Sequence, residues 1–172
     1  MVLRRLHIDF EAFAGAMGNQ GRDQYDYYLD STTGRVMRIS TEVWTALEEG
    51  RTIAGSLQGW QQEELREARE VFGNTQGRYL PIPERPSWEV AELMADFVDA
   101  VADADLQKKL AAAVAGRDAV RRFRDTLAHY PAERERWIAL RQESDQEYAS
   151  QWLADEGIEP VWIAASTPQS PA

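Results

Sequence analysis

Cysteine is absent from all 172 residues, and histidine nearly so, with only His7 and His129. The first absence excludes a disulfide scaffold, a thiolate zinc site, an iron–sulfur cluster and a cysteine nucleophile. The second removes most histidine-built metal sites and catalytic triads. No apolar run approaches the roughly 18 residues of a membrane span, so a soluble protein is expected. Arg4 and Arg5 precede a few apolar residues, but Asp9 and Glu11 interrupt them. A secretory signal does not tolerate such a break, and a cytoplasmic location is expected. Lysine is scarce as well: Lys108 and Lys109 stand beside 17 arginines. A GC-rich genome is the plain source of that bias, although Arg also suits partly buried, bidentate ion pairs.

What is present is acid. Asp plus Glu number 29 against 19 Lys plus Arg, a net charge of −10. Proteins that bind phosphate backbones draw affinity from cations that release counterions, so this sign favours protein partners or cationic ligands. A chain of this length makes one domain. A single globular domain is expected over 1–163, followed by a disordered Ser/Thr/Pro/Ala-rich tail over 164–172.

Local patterns place the elements. Asp9 is positioned to cap a helix carrying Phe10, Phe13, Ala14 and Met17, which Gly18 ends. Residues 18–24 read as a loop. Tyr25 to Leu29 and Arg35 to Ile39 read as two strands, with Tyr25, Tyr27 and Leu29 on one face. Asp30-Ser31-Thr32-Thr33-Gly34 supplies the turn between them. Ser40 or Thr41 caps a short helix through Leu47, residues 50–60 form an irregular connection, and 61–72 is helical. Residues 78–82 read as a third strand, which Pro81 confines to an edge. Beyond Pro86 the chain is helical: Ser87 caps a helix to about 102, Asp103 or Asp105 a second to about 115, 117–129 is a third and 132–156 a long fourth. The fold class is therefore α+β: a small antiparallel sheet (hairpin 25–39 plus edge strand 78–82) and a mainly helical C-terminal half of four helices within 87–156.

Several short segments share an order with a known family. Tyr27-Tyr28-Leu29-Asp30 followed by Thr33-Gly34 and Val36 resembles a "YYLD…TGEV" hairpin. Arg78-Tyr79 with Ile82-Pro83, Met94-Ala95-Asp96-Phe97-Val98, Gly116-Arg117, Phe123-Arg124-Asp125 with Leu127, Glu135-Arg136-Trp137, Trp152-Leu153 and Gly157-Ile158-Glu159-Pro160 continue the likeness. The chain resembles, over about 8–161, an uncharacterised bacterial protein family catalogued under UPF number 0158. Val120 stands where that family often has Phe, and Arg124 where it often has Lys. The resemblance implies fold boundaries; it carries no activity, cofactor or catalytic residue.

Two charge patterns remain as candidate surfaces. Glu89, Glu92, Asp96, Asp99 and Asp103 recur at helical spacing within an arc of about 80°. They read either as the solvated face of an amphipathic helix or as an acidic docking surface. Carboxylates on one straight helix diverge, which argues against a cation site. Residues 116–141 carry seven Arg against four acids, a local +3 within a chain of −10. Arg117, Arg121 and Arg124 share an arc there. Arg121 can pair with Asp125, and Asp118 with Arg122, at i,i+4. These arginines read either as an ion-pair network packing the third helix on the fourth, or as an anion-binding face. Trp88 lies about 60° from the centre of the acidic arc and is the candidate apolar anchor. His129 reads as a partner for the last carbonyls of its helix. Among the tryptophans, Trp44, Trp137 and Trp152 read as core, and Trp60 and Trp162 as candidates for exposure.

The resulting expectation is a non-catalytic interaction or regulatory protein that binds another macromolecule, without cofactor or metal. A protein partner is favoured over nucleic acid, and no membrane is expected. Two alternatives are carried: a nucleic-acid binder working through helix 117–129, whose pairing with the preceding helix echoes a helix-turn-helix, and a hydrolase using two carboxylates. A monomer is slightly favoured over a homodimer, because the arginines flank a buried face and can pair within the chain.

Overall fold

The computed structural model describes residues 2–18, 23–50 and 59–164. The expected tail beyond 164, and most of the expected irregular connection and first loop, lie outside the described residues. The chain forms two compact units. One comprises Met1–Glu84 with Ala149–Ala172, and the other Arg85–Tyr148.

The first unit holds both sheets. Strand β1, Arg4–Asp9, buries Leu6 and Ile8 and exposes Arg5 and His7, the alternation of a half-buried strand. Its partner is β5, Ile158–Ile163, paired in parallel from Arg4↔Ile158 to Asp9↔Ile163. The sequence reading missed β1. Asp9 then caps helix α1, Phe10–Met17, by accepting from the Ala12 N–H at 3.0 Å. Phe13 is fully buried between Trp162 and Trp152, with ring centroids 5.8 and 5.9 Å away. Trp162, a candidate for exposure, is therefore packed in this unit; the Trp60 side chain lies outside the described residues.

The hairpin forms where its turn chemistry placed it. Strands β2, Tyr25–Asp30, and β3, Val36–Ser40, pair antiparallel, and β4, Tyr79–Pro81, adds to β2, giving the order β3-β2-β4. Pro81 thus sits on an edge strand. Both faces bury apolar groups. Tyr28 lies opposite Met37 and packs with Met37, Ile39 and Val43, while Leu29, opposite Val36, is fully buried. Helix α2, Thr41–Glu48, is capped by Ser40, whose Oγ accepts from the Val43 N–H at 3.3 Å. Helix α3, Gly59–Gly73, completes this core with Ala68 and Val71. Gly34 in the turn has φ +79°, and a Cβ there would overlap the carbonyl oxygen of His7 on β1.

The second unit is helical: α4, Ser87–Asp99; α5, Ala104–Val114; α6, Ala119–Leu127; and the part of α7, Pro131–Asp155, up to Tyr148. Its core joins Val90, Met94, Phe97, Leu106, Leu110, Phe123 and Leu127. Phe97, Phe123 and Trp137 form an edge-to-face triangle with centroids 4.9 to 5.9 Å apart. Two local expectations are corrected. The cap position of α4 is Pro86, and Ser87 is the first helical residue, without a side-chain cap. The helix ends at Asp99 rather than near 102, because Ala100 and Val101 close it in tight turns onto the carbonyls of residues 96–98.

Candidate functional site

Helix α6 turns its apolar side inward through Phe123 and Leu127. At about 100° per residue, Val120, Arg124 and Arg121 then span an arc of about 100° on one outer flank. Arg117 lies in the turn just before. All four are exposed, Val120 by 59%. An open cleft of about 350 Å³ lies along this flank, lined by Asp118, Ala119, Val120, Arg121 and Arg124.

The arginines are little neutralised. Arg121 Nε stands 3.8 Å from Asp125 Oδ2, both side chains exposed, a geometry that contributes almost nothing in water. The second expected pair, Asp118 with Arg122, is not made among the described residues. Asp118 stands at the cap position of α6 in the left-handed conformation, φ 53° and ψ 39°, and its backbone carbonyl, not its carboxylate, accepts from the Arg122 N–H at 2.9 Å. Nor does any described ion pair tie α6 to α7. The ion pairs of α7 run instead to Glu133 from Arg136, at 2.8 Å, and to Asp145 from Arg141 and Arg85.

The opposite flank of α6 faces a second open cleft, of about 500 Å³, lined by Lys109, Ala112, Asp125, Thr126, His129 and Tyr130. Lys109 Nζ donates to Tyr130 Oη at 3.2 Å, and this hydrogen bond raises the lysine above its ordinary pKa. His129 is exposed, and its backbone N–H reaches the Thr126 carbonyl at 3.3 Å.

The acidic arc is shorter than its spacing implies. Glu92, Asp96 and Asp99 are exposed on α4. Glu89 is half-buried and accepts from Arg85 Nε at 3.1 Å. Asp103 lies beyond the helix and caps α5, accepting from the N–H groups of Asp105 and Leu106 at 2.9 and 3.0 Å. Trp88 is 60% exposed. With Glu92, Ala95 and Asp99 it follows steps of four, three and four, an arc of about 60°.

Three ion-pair systems escaped the sequence reading. Buried Asp30 accepts from Arg78 at both oxygens, 2.9 Å to Nε and 2.7 Å to Nη2, and from the Thr32 N–H at 2.9 Å. Chiefly through the Arg78 hydrogen bonds, and against the effect of burial, its carboxyl is lowered to about 2. Arg35 pairs with buried Glu67 of α3. Arg85, whose side chain is only 8% exposed, is held by Asp145 at 2.6 Å, Ser144 at 2.8 Å and Glu89, below the Tyr148 ring. Glu89 and Asp145 converge, as an acid/base pair must, but the Arg85 guanidinium occupies the point of convergence. The partners of these ion pairs lie 32, 48 and 60 residues apart along the chain, apart from the i,i+4 pair of Arg85 with Glu89, and no local spacing announces them.

Among the described residues no group of three or more His, Asp or Glu is arranged to hold a metal ion, and no helix is long and apolar enough to cross a membrane. Fold and surface together define an α+β protein with exposed charges on the open faces of its helices. The chain belongs to the uncharacterised protein family UPF0158, whose profile matches residues 1–169. It is similar to the UPF0158 protein PA5073 of Pseudomonas aeruginosa, 28% identical over 159 residues, which cover 92% of this chain and 89% of that one. No solved structure matches it.

Proposed function

We propose that this is a non-catalytic interaction protein that binds an acidic macromolecular surface through the arginine flank of α6. One observation carries the reading: Arg117, Arg121 and Arg124 stand exposed around Val120, with a single weak ion pair between them and the rest of a chain of net charge −10. Unneutralised cations on a rigid helix attract carboxylates or phosphates and lose that attraction in salt. Arg also forms planar, bidentate bonds to either anion. The acidic chain favours an acidic protein surface over nucleic acid, because a phosphate-backbone binder draws its affinity from a surplus of cations, and this chain carries a net charge of −10.

A binding titration tests this with defined probes: polyglutamate, and duplex and single-stranded oligonucleotides. Polyglutamate is expected to bind at low salt, and Arg117→Ala with Arg121→Ala and Arg124→Ala to weaken it at least tenfold. Undiminished binding by the triple variant, folded by circular dichroism, refutes the assignment. Tighter binding to oligonucleotides than to polyglutamate, with a steep salt slope, moves it to the nucleic-acid alternative, which the packing of α6 against α5 accommodates.

A further inference from the structure

We infer that the acidic surface met by the arginine flank of α6 is the Trp88 face of α4 in a second copy of this chain, giving a two-fold dimer. The inference rests on the binding role of α6 and names its partner. The arginines flank the buried face of Phe123 and Leu127, which favours a monomer if they pair within the chain, but among the described residues only Arg121 has an ion pair, at 3.8 Å, and none of the three is paired with α7.

The two faces match in chemistry. On α6 an exposed aliphatic group, Val120, is flanked by Arg117, Arg121 and Arg124. On α4 an exposed indole, Trp88, is followed along the same face by Glu92, Asp96 and Asp99, with Ala91 and Ala95 leaving room beside it. Exposed carboxylates alone make no contact surface. The indole supplies the anchor, since Trp is the strongest ring partner for a guanidinium and dominates interface energetics out of proportion to its number. Glu92 to Asp99 covers about 10 Å of helix, close to the stretch that Arg117 to Arg124 can reach.

Both faces belong to the unit Arg85–Tyr148. Two-fold symmetry therefore makes the contact twice, α6 of each copy on α4 of the other. This has a consequence that can be tested by exchanging charges. Arg121→Glu with Arg124→Glu makes both faces of one chain acidic. Glu92→Arg with Asp96→Arg makes both faces basic. Neither variant can pair with itself, yet one copy of each restores both contacts.

Sedimentation velocity of the full chain and of these variants decides the matter, at about 0.02 M and 0.5 M salt. The wild type is expected to dimerise at low salt with an affinity at least tenfold weaker at high salt. Each charge variant alone is expected to be monomeric, and their equimolar mixture to dimerise. Trp88→Ala is expected to weaken the wild-type dimer at both salts. A wild type that stays monomeric at low salt and high concentration overturns the inference, as does a mixture of folded variants that fails to dimerise. Should the chain be monomeric while polyglutamate binding still depends on the arginines, the dimer fails and the binding role of α6 stands. Should both be absent, both fail.

Discussion

Replacing Asp30 by Asn tests the buried ion pair of the hairpin. The carboxyl is lowered from 3.8 to about 2, first of all by its hydrogen bonds from Arg78. At about 1.4 kcal/mol per pH unit that interval corresponds to roughly 2.5 kcal/mol, and solvent around the Arg78 end reduces it to about 2 kcal/mol. The sign follows from proton binding. Between the two values the unfolded chain holds the proton and the folded chain does not. The contribution is therefore complete above about pH 5 and is lost as pH falls through 3.8 towards 2. Urea unfolding of wild type and Asp30→Asn, from pH 7 down to pH 2, isolates this group, because every other carboxylate titrates in both proteins. Asp30→Asn is expected to be less stable at pH 7, and the gap to narrow by about 2 kcal/mol by pH 2. A gap of constant size across that range refutes the reasoning.

Three further outcomes follow from the packing. Gly34→Ala is expected to cost more than about 2 kcal/mol, since it adds a clash with the His7 carbonyl to the strain of a positive φ, whereas Gly50→Ala, at φ +64° with open space around it, is expected to cost only about 1 kcal/mol; equal costs in urea unfolding refute the contact. Phe123→Ala removes one ring of the Phe97–Phe123–Trp137 triangle and is expected to cost about 3–5 kcal/mol by the same measurement, with a value under 1 kcal/mol counting against a packed core there. Arg85→Met leaves Asp145 and Glu89 without their shared cation and is expected to cost about 3 kcal/mol; a thermal midpoint equal to that of wild type removes the buried network from the account.

The parts of the fold written in local chemistry could be read from the chain. Asp30 to Gly34 marks a turn, the aromatic run Tyr25 to Leu29 and the apolar Val36 to Ile39 flank it as strands, and the helices after Pro86 repeat at helical spacing. Strand β1 could not be read in this way. Its partner is 154 residues away, since Arg4 lies opposite Ile158, and parallel pairing leaves no turn between the strands to betray it. The site divides along the same line. The inward positions of Phe123 and Leu127 and the shared arc of Arg121 and Arg124 follow from helical spacing, whereas spacing left open whether these arginines pair with the next helix or face solvent. Asp103 was misplaced because helical spacing assumes an unbroken helix, and α4 stops at Asp99. The Arg85 cluster needs Asp145, 60 residues along the chain, so helix periodicity cannot reveal it.

The parallel pairing of β1 with β5 also sets an order on assembly during synthesis. The unit that contains β1 is built from two distant stretches of chain, and the whole of Arg85–Tyr148 is made between them. At about 5–20 residues per second, the ribosome needs roughly 4–15 s to pass from Glu84 to Ile158. Throughout that interval β1 lacks the strand that completes it, and its backbone donors and acceptors are open to pairing with other nascent chains. The helical unit has its full sequence before β5 emerges. Release of Ile158–Ile163 from the ribosome is therefore the step that closes β1, and chaperone capture of nascent chains is expected to last until that segment is free to pair.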